Sequence, residues 1–304
     1  MYTFIVNPNA RTGLGLQVWE HLEKILLEKN LEYKAYLTRY PNHATEFAAE
    51  ATATGEDITL IALGGDGTIN EVVNGIRDFS KVTFGYIPIG SSNDFARSMG
   101  LSQEPEQMLS QILDPSDFAY VNIGRLSYTG SVRRFAVSCG IGFDADVCLH
   151  VSSSKLKKVL NRLKLGNLSY TGIALFLMMS LSPRPMTVIM DGTKHRCRKV
   201  FFAAAMNQRY EGGGFKFCPD ADPADDLLNI IVIANMPRLK ALLLLPTAFR
   251  GWHTCFKGVY TFACKKAEFI NEAALPVHTD GEPVVQAAQI SVSLEQEKLL
   301  LIRG

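Results

Sequence analysis

The sequence lacks the features by which several classes of protein are recognised. No apolar run approaches the roughly 20 residues needed to cross a bilayer, because the most apolar stretches, 173–181 and 241–246, are far shorter. The first residues carry no basic segment followed by a long apolar core, so we expect no signal peptide. We therefore expect a cytoplasmic protein that is soluble or lies peripherally on a membrane surface.

Cysteine and charge exclude further classes. The six cysteines among 304 residues are scattered without a C-x-x-C pair, which favours reduced thiols over a disulfide framework or a zinc cluster. The six histidines show no metal-binding spacing, and we expect them to be surface or core residues. The formal net charge is only +1, so we expect no nucleic-acid partner.

Two common nucleotide-binding motifs are also missing. The pattern G-x-x-x-x-G-K-[ST] does not occur, which excludes a P-loop nucleotide triphosphatase. Gly13-Leu14-Gly15 lacks the third glycine of the dinucleotide fingerprint, and we interpret it as an ordinary entry from a loop into a helix.

The most informative segment that is present covers residues 58–74. Its apolar run 58–63 predicts a buried strand, and the apolar positions that follow from Ile69 to Ile76 predict a helix. The turn between them is Gly64-Gly65-Asp66-Gly67-Thr68. Its glycines permit positive φ and a close approach of backbone N–H groups to a ligand.

A helix N-terminus of this kind favours phosphate. The carboxylate of Asp66 would repel a phosphate unless a divalent cation lay between them. We therefore expect a metal–nucleotide site, with a plain strand-to-helix connection as the alternative.

The distribution of patterns predicts two domains. Strand and helix patterns alternate up to about residue 123, which predicts a Rossmann-like α/β domain with a parallel sheet covered by helices on both faces. The predicted strands are 2–6, 31–38, 58–63 and 83–89, and the predicted helices include 16–29 and 43–54.

Beyond residue 123, short β-like runs predominate, which predicts a β-rich, sandwich-like domain with inserted helices. The runs are 119–126, 134–139, 186–190, 200–206, 227–233, 259–262, 290–294 and 299–302, and the helical patterns are 153–164, 170–181 and 239–249. We predict a nucleotide-binding domain over 1–123, rejoined by 290–304, and a substrate domain over 124–289.

Three polar turns follow predicted strands, at 7–13, 64–68 and 90–94. Because ligands bind beyond the carboxyl ends of parallel strands, we expect these turns to share one site.

The first turn contains Asn7, Pro8, Asn9, Ala10 and Arg11. Its amide and guanidinium groups suit phosphate or ribose, with a plain Asn-Pro turn as the alternative. In the third turn, Ser91 and Asp94 suit a nucleotide edge or a metal contact, and capping of the following helix is an equally compatible interpretation.

Two acidic segments lie late in the chain. Asp280-Gly281-Glu282 is either a bare hairpin turn or the pair of carboxylates that a kinase uses to accept and orient the substrate hydroxyl. Residues 219–226 carry four carboxylates, which favours a hard cation, with a solvated acidic loop as the alternative.

Residues 155–165 read KLKKVLNRLKL. Their spacing predicts a basic amphipathic helix that lies on an anionic membrane or packs on the core with a solvated basic side.

Together these motifs resemble the bacterial diacylglycerol kinase-like lipid kinases, whose catalytic region is shared with eukaryotic diacylglycerol, sphingosine and ceramide kinases. The shared motifs run in order along nearly the whole chain: Asn7-Pro8, 64–71, 88–97, 140–145, Asn207 with Gly212-Gly213-Gly214, Pro219-x-Ala221 and Asp280-Gly281-Glu282. The G-G-D-G-T turn also occurs in NAD kinases and phosphofructokinases. The Asn93-Asp94-Phe95-Ala96-Arg97 run and the late Asp-Gly-Glu narrow the resemblance to the lipid kinases.

The resemblance implies a two-domain fold with the nucleotide in the cleft between domains. It implies ATP and Mg²⁺ as cofactors and a lipid at a membrane surface as substrate, with diacylglycerol converted to phosphatidic acid. The implied ATP contacts are the first turn, Thr38, Gly64, Gly65, Asp66, Gly67, Thr68, Ile69, Asn70, Ser91 and Asp94. The implied Mg²⁺ lies at Asp66 and Asp94.

The resemblance further implies that Asp280 accepts the proton of the lipid hydroxyl while Glu282 positions it. A structural magnesium is implied at Asp222, Asp225 and the carbonyl of Leu227. Two residues depart from the relatives: Asp226 stands where a glycine is usual, and Asn122 where many have an aspartate.

Two rival functions stay open, an NAD kinase and a non-catalytic lipid- or nucleotide-binding regulator. The lipid acceptor is undetermined, and so is the oligomeric state, for which a homodimer is one option.

Overall fold

The computed structural model describes residues 1–143, 145, 146, 148 and 183–304. These residues form two compact units, one of 1–123 with 295–304 and the other of 124–294. The predicted basic helix 155–165, the helical patterns 153–164 and 170–181, and Asp144 of the shared motif lie outside the described residues.

The first unit is built on a six-stranded sheet. Its strands are β1 (Tyr2–Val6), β2 (Tyr33–Leu37), β3 (Ile58–Gly64), β4 (Val82–Pro88), β5 (Phe118–Val121) and β15 (Leu299–Ile302). The strand order is β2-β1-β3-β4-β15-β5, and all neighbours are parallel except β5, which runs antiparallel to β15. The predicted parallel α/β sheet is therefore confirmed, with one antiparallel edge strand.

Helices join and cover these strands. They are α1 (Ala10–Glu28), α2 (His43–Ala51), α3 (Asp66–Gly75), α4 (Asp94–Met99) and α5 (Pro105–Leu113), with a 3₁₀ helix at Phe79–Lys81. Leu60 and Ile61 of β3 point to opposite faces of the sheet and are both fully buried. Both faces are thus covered, as the continuous apolar run of β3 predicts.

The second unit is built on a nine-stranded antiparallel sheet. Its strands are β6 (Gly124–Tyr128), β7 (Ser131–Phe135), β8 (Ser138–Gly142), β9 (Arg184–Met190), β10 (Thr193–Met206), β11 (Leu228–Ala234), β12 (Val259–Cys264), β13 (Lys266–Thr279) and β14 (Glu282–Leu294). The order is β12-β11-β10-β8-β13-β14-β6-β7, and β9 pairs with β10 and β13.

Both faces of the central strand β10 are buried. Ala203 and Ala205 lie in one hydrophobic cluster, whereas Ala204 and Met206 lie in a second cluster. The second cluster also holds residues of helix α6 (Arg238–Leu244) and of the 3₁₀ helix Leu245–Arg250, which is followed by another 3₁₀ helix at Trp252–Cys255. The predicted β-rich character of this region is confirmed.

Two runs predicted as single strands are each divided in the structure. The run 119–126 becomes β5 and β6, because its two halves join different sheets on either side of Asn122-Ile123. The run 134–139 becomes the end of β7 and the start of β8, and the turn at Ala136-Val137 separates them.

The helical pattern 239–249 is α-helical only to Leu244 and continues as a 3₁₀ helix. Pro246 has no N–H with which to continue an α-helix. Among the described residues, no helix combines the length and apolarity needed to span a bilayer.

Candidate active site

Three polar turns meet at one edge of the first sheet. Asn7 follows β1, and its N–H donates to the carbonyl of Leu63 at 2.9 Å. The Nδ2 of Asn7 donates to Thr68 Oγ1 at 3.2 Å, and Ile89 N–H donates to the carbonyl of Gly64 at 2.8 Å. The predicted convergence of these turns is therefore present in the fold, because β1, β3 and β4 are adjacent parallel strands.

Thr38 belongs to the same edge. It follows β2, is buried, and donates its N–H to the carbonyl of Val6 at 2.9 Å. Ser91, in contrast, is exposed to solvent in the third turn.

Close packing against neighbouring atoms, rather than positive φ, accounts for the glycines of the second and third turns. Gly65 is extended, with φ −107°, and neither Gly64 nor Gly67 is among the described residues with positive φ, so these three glycines do not use the positive φ that they permit. A Cβ on Gly64 would lie 2.2 Å from Thr68 Oγ1, and a Cβ on Gly90 would lie 2.6 Å from Gly65 Cα. Gly90 thus matters as much as the predicted glycines.

Asp66 caps a helix from another part of the chain. Its Oδ2 accepts the N–H of Asp94 and its Oδ1 accepts the N–H of Phe95, each at 3.1 Å. The residue at the local cap position, Asn93, makes no side-chain cap hydrogen bond, so the predicted local capping is wrong. The carboxylate of Asp66 supplies acceptors for two of the N–H groups that begin α4.

Tyr86 contacts the second and third turns through its hydroxyl group. Its hydroxyl is fully buried and donates to the carbonyl of Gly64 at 3.2 Å, with Asn93 Oδ1 at 3.4 Å. Burial raises the pKa of Tyr86 well above its ordinary value, and the carboxylates of Asp66 and Asp94 raise it further. The Tyr86 hydroxyl therefore stays protonated and donates a hydrogen bond to the Gly64 turn.

The first turn is conformationally strained. Arg11, Thr12 and Gly13 have consecutive positive φ values of 48°, 63° and 93°, which is unusual for a β-branched residue such as Thr12. A Cβ on Gly15 would lie 2.1 Å from the carbonyl oxygen of Asn7. Residues 13–15 therefore lie where the chain enters the regular helix, as predicted, but the residues before this entry are strained, and strain of this kind is typical of ligand-binding segments.

Asp280 and Gly281 form the two-residue loop between β13 and β14. Both have positive φ, 51° and 81°, and they lie between the paired residues Thr279 and Glu282, as in a type I′ hairpin. The Asp280 carboxylate also accepts three backbone N–H groups, and its partners are Ala136 at 2.9 Å, Val137 at 2.8 Å and Ser138 at 2.9 Å. The hairpin interpretation is therefore correct, and the same aspartate is fixed by the β7–β8 turn.

A buried polar cluster lies under this hairpin. His278 is fully buried, and its Nδ1 accepts the N–H of Gly281 at 3.1 Å. The ring proton is therefore on Nε2, which faces Glu211 Oε1 at 3.5 Å. Ser138 donates its hydroxyl to the same Glu211 oxygen. Sequence reasoning did not identify Glu211 or Ser138, because no short motif contains them.

The acidic loop is held by two local hydrogen bonds. Asp222 Oδ1 accepts the N–H of Ala224 at 3.0 Å, and Asp225 Oδ1 accepts the N–H of Leu227 at 2.9 Å. Asp226 has φ 63°, the left-handed conformation that glycine favours and that aspartate tolerates.

Metal binding at this loop would depend on few carboxylates. In the part of the chain that the structure describes, no group of three or more His, Cys, Asp and Glu side chains is arranged to hold a metal. The exposed oxygens of Asp222 and Asp225 suit a hard cation that completes its shell with carbonyl groups and water.

Comparison with known proteins decides the family. A model of the diacylglycerol kinase catalytic domain matches residues 1–123, and a model of the YegS C-terminal NAD kinase beta sandwich-like domain matches residues 137–301. The protein named "Putative lipid kinase YtlR" of Bacillus subtilis is 31% identical over 284 residues, which cover 92% of each chain. The chain belongs to the diacylglycerol kinase-like family of lipid kinases.

Other members of this family and its fold extend the comparison. A diacylglycerol kinase of Mycobacterium tuberculosis is 26% identical over 92% of the chain and 88% of its own length. A crystal structure of a putative diacylglycerol kinase from Bacillus anthracis aligns with a TM-score of 0.78 at 21% identity, covering 100% of this chain and 95% of that one. An NAD kinase from Archaeoglobus fulgidus in complex with ATP aligns with a TM-score of 0.52 at 14% identity, covering 99% and 93%. These two structures share the fold.

The candidate site residues of both units lie within the segments that the two family models match. The three turns and Asp66 fall in the kinase catalytic model, and the acidic loop and the Asp280 hairpin fall in the C-terminal model. The resemblance inferred from the motifs is confirmed, as is the fold of an α/β domain followed by a β-rich domain.

Proposed function

We propose that this family member is an ATP-dependent kinase that phosphorylates a lipid hydroxyl, and that diacylglycerol is the acceptor and phosphatidic acid the product. The observation that carries the proposal is the joining of three turns at the ends of β1, β3 and β4, where α3 also begins. Parallel α/β sheets bind their ligands at this edge, and a helix N-terminus attracts phosphate.

The ATP phosphates would lie against the backbone N–H groups of the turn and of the start of α3. The residues that would hold the nucleotide are Asn7, Pro8, Asn9, Ala10, Arg11, Thr38, Gly64, Gly65, Asp66, Gly67, Thr68, Ile69, Asn70, Ser91 and Asp94. Arg11 is exposed at the strained first turn, where its guanidinium would pair with a phosphate oxygen.

Mg²⁺ would be held near Asp66 and Asp94. Each oxygen of Asp66 accepts one N–H, which fixes the carboxylate beside the turn, and carboxylate oxygens are ligands that suit a hard cation or its water. The cation would offset phosphate charge. A second, structural Mg²⁺ would use Asp222, Asp225 and the carbonyl of Leu227.

Asp280 and Glu282 would serve the lipid hydroxyl. Three backbone N–H groups donate to the Asp280 carboxylate, which fixes its orientation, and a carboxylate held in this way would accept the proton of the substrate hydroxyl. Glu282 is exposed beside it and would orient the hydroxyl. Phosphoryl transfer then depends mainly on positioning and electrostatics.

A cavity in the second unit supports an apolar substrate. Its volume is about 220 Å³, and its lining includes Ile141, Phe143, Met186, Phe201 and Leu275. Arg184 and Asp146 supply charged groups in the same lining. A lining with both apolar and polar groups suits part of an acyl chain together with its glycerol head, and we propose this lipid as the partner, taken from a membrane surface.

The test is incubation of the purified protein with radiolabelled ATP and Mg²⁺. Separate reactions receive diacylglycerol, a sphingoid base, an isoprenoid alcohol and NAD, and the labelled product is identified in each. We expect label in phosphatidic acid. Label on NAD would show a soluble dinucleotide kinase instead, and ATP binding without any labelled product would show a non-catalytic regulator.

A further inference from the structure

The second unit exposes an unusual number of large apolar side chains on one segment. Leu239 and Leu243 lie four residues apart on α6, so they share one helix face, and Leu243 is 67% exposed. Phe249, Trp252 and Phe256 follow on the two 3₁₀ helices and the loop after them, and they are also exposed. Isolated exposed apolar residues are ordinary, but a contiguous group indicates an interaction site.

The segment is anchored on its opposite side. Ala241, Leu244 and Ala248 are buried in a hydrophobic cluster of the second unit, so the exposed side chains point away from a rigid support. The Nζ of Lys240 donates to the carbonyl of Lys257 at 2.8 Å, which ties α6 to the loop that follows the second 3₁₀ helix. The exposed residues therefore belong to one continuous surface.

The segment that carries these apolar side chains is basic. Residues 227–267 contain no Asp or Glu, and they contain Arg238, Lys240, Arg250 and Lys257. The guanidinium of Arg250 lies 5.0 Å from the ring centre of Trp252. On one side this segment borders the acidic loop, because a Cβ on Gly251 would lie 2.6 Å from Cγ of Pro219, which precedes Asp220.

We propose that this aromatic-basic surface, formed by Leu239, Leu243, Phe249, Trp252 and Phe256 with Arg238, Lys240, Arg250 and Lys257, docks the protein on an anionic lipid bilayer. Exposed aromatic rings among lysine and arginine are typical of the membrane–water interface. Apolar insertion and attraction to anionic headgroups act together at such surfaces. The proposal rests on the proposed function in one respect, that the substrate resides in a membrane.

A second copy of the chain is the less favourable occupant. A twofold dimer places the same patch of each subunit against the other. Arg238, Arg250 and Lys257 would then approach their own copies without carboxylates from residues 227–267 between them, and like charges repel.

The first experiment measures co-sedimentation with vesicles of equal parts phosphatidylglycerol and phosphatidylcholine, and with vesicles of phosphatidylcholine alone. The Leu239→Ser/Leu243→Ser variant is expected to bind the mixed vesicles at least about tenfold more weakly than the parent protein. Arg250→Glu/Lys257→Glu is expected to lose affinity for the mixed vesicles and little for the neutral ones. Leu27→Ser is the matched control, because Leu27 is 60% exposed on α1 of the first unit.

The second experiment locates the contact directly. The chain has two tryptophans, of which Trp19 is 2% exposed and Trp252 is 57% exposed. Brominated phospholipids quench only rings that reach them, so quenching is expected in the parent protein and is expected to disappear in Trp252→Phe.

Two results would overturn the proposal. One is unchanged vesicle affinity in Leu239→Ser/Leu243→Ser, especially if that variant shifts the sedimentation coefficient in the absence of lipid and so reveals a dimer interface. The other is co-sedimentation without quenching of Trp252. Phosphorylation of a short-chain, water-soluble diacylglycerol is measured in parallel and is expected to be equal in parent and variant. If the parent phosphorylates no lipid but Trp252 is quenched, the proposed function fails while the docking surface stands.

Discussion

Asp280 and Ser138 are joined by two reciprocal hydrogen bonds. The N–H of Ser138 donates to Asp280 Oδ1 at 2.9 Å, and the N–H of Asp280 donates to the carbonyl of Ser138 at 2.9 Å. The hairpin that carries the proposed acid pair is therefore fixed to the start of β8. A substitution at Asp280 consequently acts on structure as well as on chemistry.

Asp280→Asn is expected to lower lipid phosphorylation by roughly 10²–10⁴-fold, the usual contribution of a general base. It is also expected to destabilise the fold by about 1–3 kcal/mol, because an amide NH₂ would face the buried N–H of Ala136. Turnover, ATP affinity and the free energy of unfolding are measured together. Unchanged turnover would remove Asp280 from the mechanism, and nearly unchanged ATP affinity is expected because no proposed nucleotide contact is altered.

Glu282→Gln separates catalysis from folding. Glu282 is exposed, so its substitution is expected to leave the melting temperature unchanged while lowering turnover at least about tenfold. Glu272→Gln is the control, because Glu272 is an exposed glutamate on β13 of the same hairpin. Equal activity of both variants would show that Glu282 does not act on the substrate.

Asp66→Asn tests the capping of α4. Asparagine retains one acceptor oxygen but presents an NH₂ to the second N–H group, so we expect a loss of about 1 kcal/mol in the free energy of unfolding. We expect ATP affinity in the presence of Mg²⁺ to fall as well. Asp78→Asn is the matched control: Asp78 accepts the N–H of Ser80 at 2.9 Å as the cap of the 3₁₀ helix. A fall in ATP affinity in both variants would indicate a general effect of stability.

Mg²⁺ is expected to raise the melting temperature through the acidic loop. Asp222→Asn and Asp225→Asn preserve the oxygen that accepts the local N–H but remove the charge, so each is expected to abolish this shift, as is EDTA. Asp226→Gly is expected to retain it, because the residue already has the φ that glycine favours. A Mg²⁺-dependent shift that survives in Asp222→Asn would place the cation elsewhere.

His253 is expected to make stability depend on pH. Burial lowers the pKa of His253, although a hydrogen bond to the carbonyl of Phe217 at 3.0 Å partly opposes this. Its ordinary pKa is 6.5, and its pKa in the folded protein is lower. At pH values between these two pKa values, the unfolded chain therefore binds more protons than the folded chain. The stabilisation is therefore complete above pH 6.5 and decreases as the pH falls toward the folded pKa.

His253→Gln keeps a donor toward Phe217 and removes the titration. The parent protein is expected to lose more unfolding free energy than this variant when chemical denaturation is repeated at successively lower pH from 7.5 to 5.5. Parallel pH profiles of the two proteins would assign the loss to other groups.

Strands bounded by turn residues were predictable from the sequence alone. Residues 2–6 were predicted in full because the run is apolar and ends at Asn7-Pro8. Only the end of β13, next to the Asp280-Gly281 turn, was predicted, because Glu268, Glu272 and Pro276 interrupt the pattern of the rest. The strand nevertheless forms, with Pro276 opposite Gln286 in the ladder to β14. α5 was also missed, although Pro105 at its start is a recognised beginning of a helix.

The candidate site was predictable to the extent that it follows from strand order. Adjacent parallel strands end at the same edge of a sheet. The local strand patterns therefore sufficed to predict that the turns after β1, β3 and β4 lie close together. The capping of α4 by Asp66 joins residues 28 apart, and the contact of Glu211 with His278 joins residues far more distant in sequence. Such pairs depend on tertiary packing, which cannot be predicted from the spacing of residues in the sequence.

The position of β15 has a consequence for synthesis on the ribosome. This strand lies between β4 and β5 in the sheet order, yet it follows every strand of the second unit in the sequence. Until residues 299–302 leave the exit tunnel, the sheet that carries the three polar turns stays split, with β4 as an open edge and β5 without its neighbour. A chain released before residue 295 would therefore have a complete second unit and an unfinished kinase domain.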